Sequence, residues 1–380
     1  MNSRERVIKA INHQEPDRVP IDLNPLHDFY INLKQFLHLD IEERVKTNYA
    51  MEVVPHPLVL QKLGVDISSV KLGSPSGRKK DPRTDGLIED DWGVLYKIVS
   101  QPGGGSYYEA VKSPLKDAKL SDLAHYPWPI PDLPGRGEEA EKNAKSLFED
   151  TKFAILGRFG GAITEVALNM LGMENWMIRL ASDPEFMDVL LTRITDIQIA
   201  LDRIGLEATA KYLQIFKASG EDLGMQTGPL YSMKMFRDQL LPHFKRRFQV
   251  ARKYLDSVNP SVKIMLHSCG SISKFLPDLI DAGIDIIDPI QPHAAAMNSA
   301  YLKANFGENL TFHGGVDVQQ VLPFGTKEEI EAEVKTRIAD LGPGGGYILA
   351  PAHNVQADVK PENIIYMIDA VKKYGCYPLS

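Results

Sequence analysis

The sequence predicts an α/β fold, a (β/α)8 TIM barrel in a single domain spanning 1–380, with a loop and hairpin insertion in its N-terminal third. Three observations carry that prediction. Eight short apolar runs recur along the chain, helical patterns separate them, and 380 residues lie within the range of α/β barrels that carry loop insertions. Apolar runs that end in polar residues or glycine and alternate with helices are the mark of a parallel sheet. An open doubly wound sheet, the competing architecture, more usually has fewer strands.

The elements follow in order. The N-terminal stretch MNSRERVIKAINHQEPDRVP spreads its charges through an amphipathic helix and lacks the apolar core of a secretory signal, so a cytoplasmic chain is expected. Strands are predicted at 19–23 (VPIDL) and 66–72 (DISSVKL). Residues 73–137 then break the rhythm with GSPSGRKKDPRTDG, QPGGGSYY and HYPWPIPDLPGRG around a hairpin, DDWGVLYKIVS. A long insertion after an early strand is either a lid over the barrel mouth or a surface excursion. Further strands are predicted at 153–159 (FAILGRF), 212–218 (YLQIFKA), 262–268 (VKIMLHS), 284–290 (IDIIDPI), 310–316 (LTFHGGV) and 346–352 (GYILAPA). Between them, a helix over 183–206 opens with Asp183-Pro184, an N-cap followed by proline in the first turn, and one over 326–341 opens with a Thr326–Glu329 capping box.

Composition excludes several classes. A chain that is 43% hydrophobic and 24% charged is globular, and no run approaches the roughly eighteen apolar residues of a membrane span. A net charge of -7 without a basic stripe argues against nucleic acid. The two cysteines, Cys269 and Cys376, are too few for a disulfide framework, so each is free, reactive or a metal ligand.

The sharpest motif is His267-Ser268-Cys269-Gly270, which ends the run VKIML. Side chains two apart on a strand face the same way, so His267 and Cys269 point together into the barrel, at the end where barrel enzymes keep their sites. Imidazole and thiolate are a zinc pair, and a third protein ligand leaves the open fourth position of a catalytic site. The plainer alternative is a buried apolar cysteine beside a histidine bonded to a carbonyl. For the third ligand His353, just past the last strand, is favoured over His313, Asp222 and Glu221, which also follow or end strands. Two tempting matches fail on context. Gly342-Pro343-Gly344-Gly345-Gly346 precedes its strand and reads as a turn, and Gly135-Arg136-Gly137 follows a proline-rich loop where a dinucleotide fingerprint needs a strand. Gly-x-Ser-x-Gly, Cys-x-x-Cys and His-Glu-x-x-His are all absent.

RERVIKAINHQEPDRVPIDL, GEDLGMQTGPLYSMKMFRDQLLPHFKRRF, HSCGSISKFLPDLIDAGIDIIDPIQP, FHGGVDVQQVLPFGT and GGGYILAPAHNVQADVKPENI resemble the uroporphyrinogen decarboxylase superfamily over nearly the whole chain. The likeness is nearest to its corrinoid-dependent methyltransferases. That resemblance implies a zinc-bearing barrel that moves a methyl group between a cobalamin and a small thiol or methoxy compound. It implies zinc on His267 and Cys269, and a third ligand at a position commonly Cys in the relatives and His353 here. Glu221, Asp222 and His313 become candidate catalytic residues, Glu221 and Asp222 as general acid and base, and Asp22, Gln291, Asp317 and Asn354 candidate substrate contacts; Asp222, Gln291, His313 and Asn354, all near strand ends, could equally support the zinc ligands. The chain has no Asp-x-His-x-x-Gly, the usual cobalt-ligating signature, so the cobalamin is expected on a separate carrier protein; a homodimer is compatible with the sequence. Uroporphyrinogen decarboxylation is the runner-up. The decarboxylases meet their many substrate carboxylates with an N-terminal arginine-rich segment, whereas RVPIDLNPLHDF has Arg18 alone, with Asp22 and Asp28 adding negative charge. A non-catalytic barrel that binds a tetrapyrrole or a partner is the remaining alternative.

Overall fold

A computed structural model describes residues 1–43, 51–75, 84–100 and 105–379. Seven parallel strands lie side by side in chain order: β1 (Ile67–Lys71), β2 (Ala154–Arg158), β3 (Ile215–Gly220), β4 (Lys263–His267), β5 (Ile286–Ile290), β6 (Thr311–Val316) and β7 (Tyr347–Pro351). The eighth position is filled by the segment expected there. Ile21 accepts a hydrogen bond from the Asp66 amide at 2.8 Å, Pro20 accepts one from the Leu349 amide at 2.9 Å, and the Asp22 amide donates to Leu349 at 3.0 Å. Residues 20–22 thus bridge β1 and β7 and close the barrel. Proline cannot donate, which keeps this strand short.

The strands are built from Ile, Leu, Val, Phe and Ala, which fit a pleated surface buried on both faces. Ile67, Ala154, Leu156, Ile215, Met265, Ile286 and Ile348 form one buried cluster with Val7 and Ile11 of the helix Ser3–Ile11. The N-terminal helix therefore packs its apolar stripe against side chains of the barrel strands. Just above it, Asp66 is fully buried and held by Arg6 at 2.6 Å and Arg18 at 2.8 Å. The glycine-rich stretch before β7 is the expected turn: the Gly344, Gly345 and Gly346 amides donate to Glu15, Gly342 and Ala10. A Cβ at Gly345, where φ is +77°, would lie 2.5 Å from the Gln14 carbonyl.

The predicted helices run Pro184–Thr209, with Asp183 accepting from the Phe186 amide, and Lys327–Leu341, with both capping-box bonds made at Thr326 and Glu329. In the insertion the expected hairpin is a three-stranded antiparallel sheet, Ile88–Glu89, Leu95–Ser100 and Ser106–Lys112. Parts of GSPSGRKKDPRTDG (76–83) and of QPGGGSYY (101–104) lie outside the described residues. No helix among the described residues is long and apolar enough to cross a membrane.

Candidate metal centre

β4 ends on His267, and the backbone then turns through Ser268 so that Cys269 returns toward the same face, its Sγ 3.5 Å from His267 Nε2. The turn needs Gly270, where φ is +80° and a Cβ would lie 2.4 Å from the backbone of Gly224. From the loop after β7 comes His353. The ligand atoms of His267, Cys269 and His353 all lie within 4.8 Å of one another. Gln291 clips the two loops together, accepting from the Gly270 amide at 2.7 Å and donating to the Ala352 carbonyl at 3.2 Å.

The electrostatics suit a cation. Burial, and then the neighbouring charge of His267, lower the His353 pKa and keep the imidazole neutral, the form that ligates a metal. Burial raises the Cys269 pKa, and the carboxylates of Asp222 and Asp288 raise it further, so the uncharged thiol predominates until a cation displaces its proton. Two imidazoles and a sulfur are a borderline-soft set that fits zinc and leaves a tetrahedral position open.

Behind His267, Cys269 and His353 lies a set of buried polar groups. His267 Nδ1 donates to Asp288 Oδ2 at 2.7 Å, which leaves Nε2 toward Cys269. Lys217 donates to the same oxygen at 3.0 Å, and Asp288 Oδ1 accepts from His313 Nδ1 at 2.7 Å. His313 Nε2 reaches Asp22 Oδ2 at 3.0 Å. Burial would raise the Asp288 pKa, but Lys217, His313 and His267 hold it well below the usual carboxylate range.

In front of these three residues is a cavity of about 570 Å³ at the C-terminal ends of the strands, where barrel enzymes bind substrates. His267, His353, Asp222 and Asn354 line it beside Lys71, Arg158, Lys217, Glu52 and Glu165. Lys71, Arg158 and Lys217 are register partners on β1, β2 and β3, a row of three like charges that is unfavourable unless compensated. Glu52 compensates two of them, at 2.7 Å from Arg158 and 3.6 Å from Lys71. Burial, then the charge of Arg158, lowers the Lys71 pKa to about 8. Glu165, in the first turn of the helix Thr164–Leu171, has its pKa raised to about 7 by burial and by the charges of Asp222, Glu221 and Glu52.

The other expected residues fall elsewhere. Glu221 is fully buried, and its carboxylate accepts from the amides of Ile163 and Thr164 at 2.7 and 2.8 Å and from the Thr164 hydroxyl. Its geometry is that of an anchor for the start of a helix, outside the cavity lining. Asp317 likewise accepts from the amides of Gln319, Gln320 and Val321. His313 and Asp22 sit behind the candidate ligands, and Gln291 spans two loops. Only Asp222 and Asn354, of the expected catalytic and substrate-contact residues, face the cavity. Sequence reasoning passed over Asp288, Lys71, Arg158 and Lys217, although each is a charge inside an apolar run already read as a strand. Glu165 offered no such signal.

Residues 118–374 match the family model described as Uroporphyrinogen decarboxylase (URO-D). The chain is 26% identical over 203 residues to a uroporphyrinogen decarboxylase of Schizosaccharomyces pombe, covering 53% of this chain and 52% of that one. It is 25% identical over 222 residues to one of Geobacter metallireducens, covering 57% and 59%. The chain thus spans little more than half the length of these curated relatives. Among solved structures, a methyltransferase from Methanosarcina mazei superposes with a TM-score of 0.65 over 98% of this chain and 99% of that one, at 18% identity, a likeness of fold.

Proposed function

The chain belongs to the uroporphyrinogen decarboxylase (URO-D) family, and within it we propose that this member is a zinc-dependent methyltransferase of the cytoplasm. In this reading it moves a methyl group between a corrinoid on a separate carrier protein and a small thiol or methoxy compound. The observation that carries the proposal is the convergence of His267, Cys269 and His353 beside a cavity that the two histidines line. A zinc ion held there supplies Lewis acidity, lowering the pKa of a thiol or polarising an ether oxygen.

The remaining work belongs to the chain. Asp288 holds His267 through Nδ1, and Gln291 keeps the loops of Cys269 and His353 at a fixed separation. Asp222 accepts from the Cys269 amide at 3.3 Å and fixes the approach of that residue. Methyl transfer is an in-line displacement, so a cavity that aligns donor and acceptor supplies much of the acceleration through proximity. Glu165, with a pKa near 7, can give up or accept a proton at the cavity wall.

One observation favours a second reading. The row of Lys71, Arg158 and Lys217 would receive a carboxylate-bearing substrate, as decarboxylation of a porphyrinogen requires. Against it, Glu52 and Asp288 already pair with these cations. The test is direct. Zinc-loaded protein is mixed with methylcobalamin and a panel of small thiols, and in the reverse direction with cob(I)alamin and methoxy compounds. Methyl transfer in either direction supports the proposal. No transfer in either, together with turnover of uroporphyrinogen, contradicts it.

A further inference from the structure

We propose that Asp22, His313 and Asp288 form a positioning chain that aims Nε2 of His267 at the bound ion, so that His313 and Asp22 act on the metal without touching substrate. The inference rests on the metal reading above. Its basis is continuity: Asp22 Oδ2 to His313 Nε2 is 3.0 Å, His313 Nδ1 to Asp288 Oδ1 is 2.7 Å, and Asp288 Oδ2 to His267 Nδ1 is 2.7 Å. Each imidazole nitrogen of His313 is engaged by a different carboxylate, which fixes the ring in plane and in rotamer. His267 has one nitrogen committed to the chain and the other 3.5 Å from Cys269 Sγ.

Burial makes the arrangement costly. Asp22, His313 and Asp288 are 4%, 1% and 6% exposed, and a line of buried charged groups is generally no more stable than apolar side chains of the same volume. Their geometry is explained by the ligand that the chain ends on, since a carboxylate on the far nitrogen of a ligating histidine sets its tautomer and orientation. The chain also spans the barrel closure. Asp22 belongs to the segment whose amide bonds to Leu349 of β7, His313 lies on β6 and Asp288 on β5. The closing strand, β6 and β5 are thereby joined behind the ion site by side chains, and the strand with the weakest backbone pairing contributes an end of the chain. Lys217 donates to Asp288 Oδ2 and balances part of the negative charge of two carboxylates about one imidazole.

The experiment titrates metal-free wild type, His313→Gln and Asp22→Ala with zinc(II), and separately with cobalt(II), whose absorption reports a cysteine-bound ion. Both variants are expected to bind one ion with the cobalt spectrum of wild type but about 10- to 100-fold more weakly, the usual effect of removing a partner of a ligand. A role in folding alone would lower the thermal midpoint without moving the affinity of the folded protein. Asp22→Ala, at the far end of the chain, carries the test if His313→Gln does not fold. Variants that are folded and titrate like wild type overturn the inference and leave the metal reading standing. Loss of folding in both assigns the chain to the fold and overturns it equally. A wild type that binds neither ion refutes the metal reading itself, and the inference with it.

Discussion

His353 occupies the position on which the character of the site depends, because His267 and Cys269 alone are a pair and not a site. Imidazole and thiolate both bind zinc, at about 2.0 to 2.3 Å, so His353→Cys should keep the metal while His353→Ala lowers the affinity sharply. Zinc titration at fixed pH checks this; equal behaviour of the two variants would remove His353 from the ligand set. His313 makes a different prediction. Burial alone would lower its pKa, but Asp288 and Asp22 raise it to about 9. A group whose folded pKa is raised contributes stability that is complete below its unfolded value, about 6.5, and is lost as pH rises through the folded one. The thermal midpoint of metal-free wild type should therefore fall between about pH 6.5 and 9 more steeply than that of His313→Gln. Parallel profiles would show that the two carboxylates do not hold the proton. At this scale the sequence offered three candidate ligands and, in His313 and Gln291, candidate supports, but not the links between them: His-x-Cys is a spacing, whereas the partnership of Asp22, His313 and Asp288 joins residues far apart in the chain.

At the scale of elements, apolar runs located the strands within a few residues because a strand buried on both faces must be apolar throughout. β3 begins at Ile215, later than the run from 212 suggests, because Ala210–Tyr212 forms a 3-10 turn that carries the chain off the preceding helix. The cation row was hidden by the same rule. Lys71, Arg158 and Lys217 end or interrupt apolar runs, and their neighbourhood exists only once three strands are in register. Glu221 shows the converse, an acid beside a strand end whose oxygens anchor the helix Thr164–Leu171. Glu221→Gln would leave buried donors without acceptors and should cost about 1–3 kcal/mol of stability. Denaturant melts measure that loss, with zinc content expected to stay at the wild-type value; intact stability with lost zinc would instead place Glu221 at the metal.

On the scale of the whole molecule, the barrel brings together residues separated by more than three hundred positions, from Asp22 on the closing segment to His353 beyond β7. Arg18, the one arginine of the stretch RVPIDLNPLHDF, is consumed by Asp66 just before β1 and is withdrawn from any substrate. With Lys71, Arg158 and Lys217 already paired to Glu52 and Asp288, and Arg136, the other lining arginine, facing Asp91 at 3.6 Å, a substrate bearing many carboxylates would lack enough free partners. Uroporphyrinogen should therefore be decarboxylated negligibly by the zinc-loaded protein, as followed by chromatography of the porphyrin products. Turnover on the order of one per second would reverse the ranking of the two activities.

The central claim is that three residues from two strand ends hold one metal ion, and metal analysis of purified protein tests it most directly. After expression with zinc supplied, wild type should carry about one zinc per chain and Cys269→Ala very little, since the variant loses a principal bond to the ion. Equal zinc in the two proteins, or none in either, would contradict the account.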